Sequence, residues 1–542
     1  MELAQIAQVK ESSGAGKMWP GVEEVSRKIL CVFPKYRNAF GTFHHSYPLL
    51  GVKAFMPPQG MLLICSYLPR HWEVKFVDEN VREATASEYK WADAVMVSGM
   101  HIQRDQMNKI NANAHRYGKV TAVGGPSVSG CPEYYPEFDY LHVGELGDAT
   151  DELIGRLARS VERPAVPVRL TTAERLPLKD FPTPSYKMAG MQNYFLASVQ
   201  FSSGCPYKCE FCDIPELYGN NPRLKTPEQV IRELDEIVGS DAVGAVYFVD
   251  DNFVGNRKAA KELLPHLVEW QKKNKYPVEF ACEATLNIAR SDDLLELMRE
   301  ASFWTVFCGI ETPETNALAA MKKTQNNEAP ILDSVRKLNG YGMEVVSGMI
   351  MGLDTDTYQT PDRILEFIEE SHIPVLTINL LEALPRTPLH RRLAAAGRLN
   401  DAPGRESNVE FMLPYDEVVK MYRRTFSTAF EPEAIYRRFE YNIKHTYPNR
   451  VAIPPSGKLS FRSVSMGVKA LSRLIWKCGI VGNYRKTFWR MAWPALKEMD
   501  IDIVVHVALV SHHMIEFSRE AEAGFQNAAF YSQEMRELQP TA

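Results

Sequence analysis

Three cysteines in one short stretch are the first residues whose spacing could do chemistry. Ser202–Asp213 reads Ser-Ser-Gly-Cys-Pro-Tyr-Lys-Cys-Glu-Phe-Cys-Asp, which sets Cys205, Cys209 and Cys212 in a C-x3-C-x2-C pattern with Phe211 before the last thiol. Three thiolates this close can ligate three irons of a [4Fe–4S] cube. No fourth cysteine stands nearby, the next being Cys282, so one iron would stay open to a small ligand. The competing reading is a zinc site or a chance group of core thiols. Zinc usually takes four ligands, often from two paired knuckles, and no second knuckle follows here.

Something must hold that loop in place. Leu196–Ser202 leads straight into it and reads as a strand, and more strands are expected at Ala245–Asp250, Val278–Glu283, Thr305–Gly309, Glu344–Met349 and Val375–Leu380. Helices fall between them, such as Thr226–Val238, with Thr226 as N-cap and Pro227 at N1. Six βα units make a partial barrel over 196–400, and a loop after the first strand lies at the C-terminal face, where barrels carry their sites. Acids occupy the same face: Asp250 and Asp251 beside Asn252, Glu283, and Glu311 within Gly309-Ile310-Glu311-Thr312-Pro313. Gly348 lies in Ser347–Leu353 at the end of the fifth strand. A carboxylate at such a position is either functional or a solvated or structural group.

Upstream, Lys28–Phe33, Trp72–Asp78, Ala94–Ser98, Val120–Val123 and Tyr140–Val143 alternate with helical segments such as Gln59–Leu68 and Ile102–Tyr117. That rhythm predicts an α/β domain over 27–161 with a doubly wound parallel sheet. Its strand ends are rich in small residues: Ser98-Gly99-Met100-His101, Gly124-Gly125-Pro126-Ser127 and Gly144-Glu145. Glycine lets a backbone approach a flat or phosphate-bearing ligand, although glycine after a strand is also ordinary turn chemistry. A lone histidine such as His101 is more often a surface or packing residue than a ligand. Prolines 164, 167, 177, 182 and 184 mark a linker over 162–195, and 1–26 reads as a flexible leader. After about Asn400 the rhythm stops, and 401–542 reads as a mostly helical region with helices at Tyr415–Phe430, Pro432–His445, Ser463–Trp476, Asn483–Lys497 and Ile503–Ala523.

A chain of 542 residues exceeds one core. Nine cysteines without an even framework suit a reduced, cytoplasmic setting, and a net charge of −5 does not suggest a nucleic-acid partner. Met1–Glu24 has no apolar signal core, and no run of about eighteen apolar residues is present to span a bilayer. The most apolar late stretch, Ile501–Val510, is short and carries His506. Charge is uneven: Tyr436–Asp500 holds 13 Lys+Arg against three acids. Arg437, Arg438, Lys469, Arg473, Lys477, Arg485, Lys486 and Arg490 interleave there with Trp476, Trp489 and Trp493. Such a surface suits an anionic membrane, or else packs against the acidic remainder of the chain.

The cysteine pattern resembles the radical S-adenosylmethionine (radical SAM) family, and a doubly wound sheet directly before it resembles the cobalamin-binding domain of that family's B12-dependent class. The segments Phe40–Phe43, Ala54–Gly60, Gly124–Gly130, Val249–Phe253 and Ile378–Pro385, with the helical C-terminal region, are similar to the bacterial hopanoid C-2 methylases. The resemblance implies that SAM chelates the open iron of a [4Fe–4S] cluster on Cys205, Cys209 and Cys212. It also implies that Phe211, Asp250, Asp251, Glu283, Glu311 and Gly348 contact SAM. Cobalamin would lie against Ser98, Met100, His101, Gly124, Gly125, Gly144 and Glu145. The D-x-H-x-x-G motif is absent, so this domain would not supply that motif's histidine to cobalt. Implied further are methylation of C-2 of a hopanoid such as diploptene, a ferredoxin or flavodoxin as reductant, and peripheral contact with the inner face of the cytoplasmic membrane. The same cofactors could serve another lipid or isoprenoid, or a ring closure. A non-catalytic iron–sulfur or cobalamin sensor is the reading from another class.

Overall fold

A computed structural model describes residues 25–239, 243–402, 404–451, 461–498 and 500–524. The expected leader lies outside the described residues up to residue 24.

The first sheet has six parallel strands: β1 (Lys28–Phe33), β2 (Glu73–Asp78), β3 (Ala94–Ser98), β4 (Val120–Gly124), β5 (Tyr140–Val143) and β6 (Val168–Thr171), in the order β2-β1-β3-β4-β5-β6. The central strands are covered on both faces, so they read as continuous apolar runs rather than alternating ones. The helices Gln59–Tyr67 and Asp148–Arg159 pack on one face and Arg104–Arg116 on the other. The order reverses at β1, and ligands of such sheets bind beyond the strand ends at the reversal. Strand β6 is a finding against expectation, because it falls within the proline-rich 162–195. Pro164 and Pro167 stand just before it, outside the ladder, where a missing amide removes no sheet bond.

The second sheet is β7 (Ala197–Val199), β10 (Ala245–Phe248), β11 (Glu279–Glu283), β12 (Phe303–Glu311), β13 (Glu344–Met351) and β14 (Val375–Leu380), parallel in the order β14-β13-β12-β11-β10-β7. A separate antiparallel ribbon, β8 (Ser202–Ser203) with β9 (Arg223–Leu224), supports the cysteine loop. Alternation along the strands sorts the barrel into inside and outside. On β13, Glu344, Val346, Gly348 and Ile350 face a cavity in the lumen, while Val345, Ser347, Met349 and Met351 are buried outside it.

The barrel is open between its edge strands β7 and β14, and the C-terminal region closes it. The last helix, Ile501–Glu522, is long and apolar enough by composition to cross a membrane, yet 67% of that window is buried. It packs against the helices Tyr415–Ala429, Pro432–His445 and Arg485–Lys497. Its residues His506, Val510 and Met514, spaced four apart on one face, line the lumen. The Leu509 carbonyl accepts from Ser46 Oγ at 2.8 Å, and His513 Nε2 lies 2.8 Å from the Phe40 carbonyl. Segment 40–54 then bridges to the entry of β7 through Ala54, which pairs with Tyr194. Thus a helix read from the sequence as part of a separate region acts as a stave of the barrel.

Candidate active site

Local chemistry shapes the cysteine loop before any ligand arrives. At the end of β10, Asp250 is 1% exposed and accepts from the Phe201 amide at 3.2 Å and from the Ser202 amide. Asp251 accepts from the Gly204 amide at 2.7 Å. These bonds pull the chain off β7 after Val199 and start the loop, which explains why the expected strand 196–202 is split. Burial pushes the Asp250 carboxyl up to about 7 and Asp251 up to about 6, against the pull of the same amides. Farther along, Glu210 accepts from Arg392 at 2.6 and 3.1 Å, and Arg392 also binds Asp354. The loop is therefore pinned at both ends.

The three thiols fit an iron–sulfur cluster. Burial pushes the Cys205 and Cys212 thiols up, a preference that bound metal cations reverse. Gln325 Nε2 donates to Cys209 Sγ at 3.4 Å, and Asn252 Nδ2 lies 4.0 Å from Cys205 Sγ. Such donors suit cluster thiolates. The remaining six cysteines are buried and none lines the cavity beside the loop.

Phe211, Cys212 and Asp213 line that cavity together with Asp251, Glu283, Glu311 and Gly348. Burial raises the Glu283 carboxyl to about 7, with the nearby Asp251 charge adding to the shift. Glu311 sits at φ +67°, a left-handed conformation unusual for glutamate, at the register shift between β12 and β13. It is ion-paired with buried Lys323, whose ammonium stands 5.5 Å from the Phe211 ring. Of the acids expected at this face, Asp250 alone does not reach the cavity; its carboxylate is engaged by the loop amides.

The same cavity, about 1360 Å³, extends to the strand ends of the first sheet, where Ser98, Met100, Gly124, Gly125, Gly144 and Glu145 line it. Gly125 has φ +93°, and a Cβ there would stand 2.5 Å from Ser98 Oγ. Only glycine lets β3 and β4 end this close and present bare backbone to a flat ligand. His101 does not line the cavity: Ser127 Oγ lies 2.9 Å from its Nδ1, and burial lowers its pKa to about 4. His101 is a packing residue here. Glu145 joins the first sheet to the ribbon of the cysteine loop, with Arg175 at 3.1 Å and Arg223 on its Oε2 and Ser203 Oγ donating to its Oε1 at 3.2 Å.

Several lining residues were not among the site residues expected from the sequence, although Phe43 and Phe55 lie in segments that carry the family resemblance. His142 on β5 lines the cavity and lies 2.8 Å from Thr150 Oγ1, and Phe43, Phe55 and Phe195 wall its side. Glu279, Glu344 and His506 form the far end of the lumen. The strand alternation marks Glu279 and Glu344 as inward only once the barrel is known. His506 comes from a helix remote in sequence.

A barrel with a three-cysteine loop at the C-terminal end of its first strand defines a radical SAM enzyme, and the Radical SAM superfamily model matches residues 199–368. A second model, a domain of unknown function (DUF4070), matches residues 387–527. Hopanoid C-2 methylase of Rhodopseudomonas palustris (strain TIE-1) is 56% identical over 515 residues, covering 95% of this chain and 98% of that protein. An uncharacterized methyltransferase of Synechocystis sp. is 33% identical, with 95% and 98% covered. The chain belongs to the hopanoid C-2 methylase family. The fold is shared with OxsB, a cobalamin-dependent S-adenosylmethionine radical enzyme, at TM-score 0.59 and 15% identity over 93% of this chain and 81% of that one. It is shared too with the radical SAM methyltransferase TsrM from Kitasatospora setae, at TM-score 0.56 and 16% identity over 87% and 100%.

Proposed function

We propose that this chain is a cobalamin-dependent radical SAM methyltransferase that methylates C-2 of a hopanoid of the diploptene type. The observation that carries the reading is one cavity that touches both the cysteine loop and the glycine-rich strand ends of the first sheet. Cys205, Cys209 and Cys212 would hold the [4Fe–4S] cluster, Phe211, Asp251, Glu283, Glu311 and Gly348 would contact SAM, and Ser98, Met100, Gly124, Gly125, Gly144 and Glu145 would border cobalamin. When bound, these groups supply hydrogen abstraction and a transferable methyl group. The chain orients and shields them. Asp250 positions the loop rather than touching SAM, and Lys323 pairs with Glu311 at the cavity wall. Phe43, Phe55 and Phe195 keep water from the reacting carbon. A ferredoxin or flavodoxin is the reductant this chemistry calls for. The test is anaerobic reconstitution with iron, sulfide, cobalamin, SAM, a reductant and a pentacyclic triterpene. A product heavier by one methyl group on the A ring supports the reading. Formation of 5′-deoxyadenosine with no methylated triterpene refutes it.

The same reading assigns an anionic bilayer as the source of the lipid. Between Glu440 and Glu498 the chain has no acidic residue. Trp476, Val481 and Trp493 are 61%, 56% and 57% exposed there, beside exposed Lys469, Lys477, Arg485 and Lys486. Trp489 Nε1 donates to the Gly479 carbonyl at 2.8 Å, which ties the helix Arg485–Lys497 to the turn before it. Part of the basic face is internal: Arg437 and Arg438 pair with Glu369, and Arg490 with Glu433 and Glu440. Sedimentation with anionic vesicles tests the exposed set. Arg485→Glu with Lys486→Glu should release the protein, and unchanged binding would remove the assignment.

A further inference from the structure

The cavity continues down the lumen to the N-terminal strand ends. Ala245 and Thr305 at the N-terminal strand ends leave space where barrels usually pack bulky branched side chains. From Gly348, near the cysteine loop, to Glu344 is four residues of one strand, about 13 Å at roughly 3.3 Å per residue. That depth suits a fused pentacyclic skeleton lying lengthwise. The wall between is apolar, with Val346 and Phe307 from the strands and Val510 from the closing helix.

The floor is not apolar. Glu344 is 1% exposed and lies 3.2 Å from His506 Nε2, with Tyr447 donating to the same carboxylate. Glu279 faces the cavity beside them, and among the described residues no hydrogen bond or ion pair engages its carboxyl. Burial pushes that carboxyl's pKa up, against the pull of the Arg450 and His506 charges. A seal for an open barrel needs only packing, whereas a carboxyl turned into an enclosed lumen without a partner is costly. Charges of both signs surround the floor, His506 and Arg450 against Glu279, Glu344 and Asp502, so neither sign stands alone. It therefore suits an uncharged hydrogen-bonding group better than an ion.

We propose that Glu279, Glu344 and His506 bind a hydroxyl at the end of the acceptor remote from the methylated ring, so that the preferred acceptor is a pentacyclic triterpene alcohol rather than a hydrocarbon. This inference rests on the hopanoid reading above and narrows its acceptor from the diploptene-type alkene to the corresponding alcohol. It sets the acceptor lengthwise in the lumen, with its A ring toward the cysteine loop and its side chain on the floor.

The test is a competition in the reconstituted holoenzyme between a side-chain triterpene alcohol and the matching alkene, with methylated products resolved by mass spectrometry. The alcohol should win about tenfold, the worth of one or two net hydrogen bonds. Glu279→Leu and His506→Phe should each carry the product ratio toward one, and Glu279→Gln, which keeps shape and hydrogen bonding, should restore most of the preference. The alcohol should also raise the melting temperature of SAM-free protein more than the alkene does. Equal use of the two acceptors by the unaltered enzyme, or variants that leave the ratio unmoved, would overturn the inference and mark the floor as a water-filled structural seal. Failure of the hopanoid reading looks different, since neither triterpene would then be methylated while 5′-deoxyadenosine still forms.

Discussion

Replacing Gly309 by alanine adds one carbon against the buried Glu311–Lys323 pair beside the cavity. That Cβ would collide with Glu311 Oε1 and stand 2.8 Å from Lys323 Nζ. Optimal heavy-atom contacts lie near 3.5 Å, so the pair must retreat by on the order of 1 Å. Glu311 and Lys323 have side chains 10% and 9% exposed, and water cannot take over their interaction. If the pair shifts intact, the cost is that of overpacking, about 1–3 kcal/mol; if it breaks, about 3–5 kcal/mol. Lys323 also covers the Phe211 ring, so either response disturbs the wall beside Cys212. SAM cleavage should fall on the order of 100-fold, equivalent to about 2.7 kcal/mol at roughly 1.4 kcal/mol per decade. The assay is 5′-deoxyadenosine formation by anaerobically reconstituted protein of matched iron content. Gly309→Ala with Glu311→Ala should be no worse than Glu311→Ala alone, because the second change removes the atom struck hardest and frees the Lys323 ammonium to swing away. Cleavage by Gly309→Ala within twofold of the unaltered protein, or strictly additive losses in the double variant, would refute the reasoning.

Cys205→Ala, Cys209→Ala and Cys212→Ala should each abolish both the iron–sulfur absorbance and SAM cleavage, whereas Cys282→Ala should keep both and lose only on the order of 1 kcal/mol of stability, measured by urea unfolding. Glu145→Gln weakens the joint to Arg175 and Arg223 that ties the first sheet to the ribbon of the cysteine loop; it should lower methyl transfer at least fivefold more than SAM cleavage, read as the ratio of methylated product to 5′-deoxyadenosine. The floor ion pair predicts a pH dependence of stability. Glu344 holds His506 above its ordinary value, so the stabilisation from His506 is complete below pH of about 6.5 and is lost as pH rises through the raised value. Glu344 itself is lowered, and its contribution is present above about pH 4.5 and lost in acid. The stability difference between the unaltered protein and His506→Phe should therefore be largest near pH 6 and shrink toward pH 9, and a difference that grows with pH would contradict the pairing.

Strands with continuous apolar runs were legible because both faces of a parallel sheet are buried, and β13 and β14 begin at the residues their composition marks, Glu344 and Val375. Strand β6 was not, since VRLT between prolines looks like linker until Tyr140 and Leu141 provide a ladder for it. The expected strand ending at Ser202 missed its break because the break depends on Asp250, 48 residues away. His101 looked like a ligand candidate from its place after a strand; Ser127 and the glycine at 130 decide where its ring goes.

The sequence by itself determined the cysteine loop, since thiol spacing within twelve residues is a local property, and it determined the order of strands and helices, since burial on one or two faces writes its period into the chain. Tertiary structure decided what the cysteines face. Which acids reach the cavity depends on strand-end geometry, which turned Asp250 back to the loop and Asp251 outward. The floor depends on contacts between residues more than a hundred and fifty positions apart, Glu344 on β13 and His506 on the closing helix. An amphipathic stripe states that a helix is buried; only the open edge between β7 and β14 states against what.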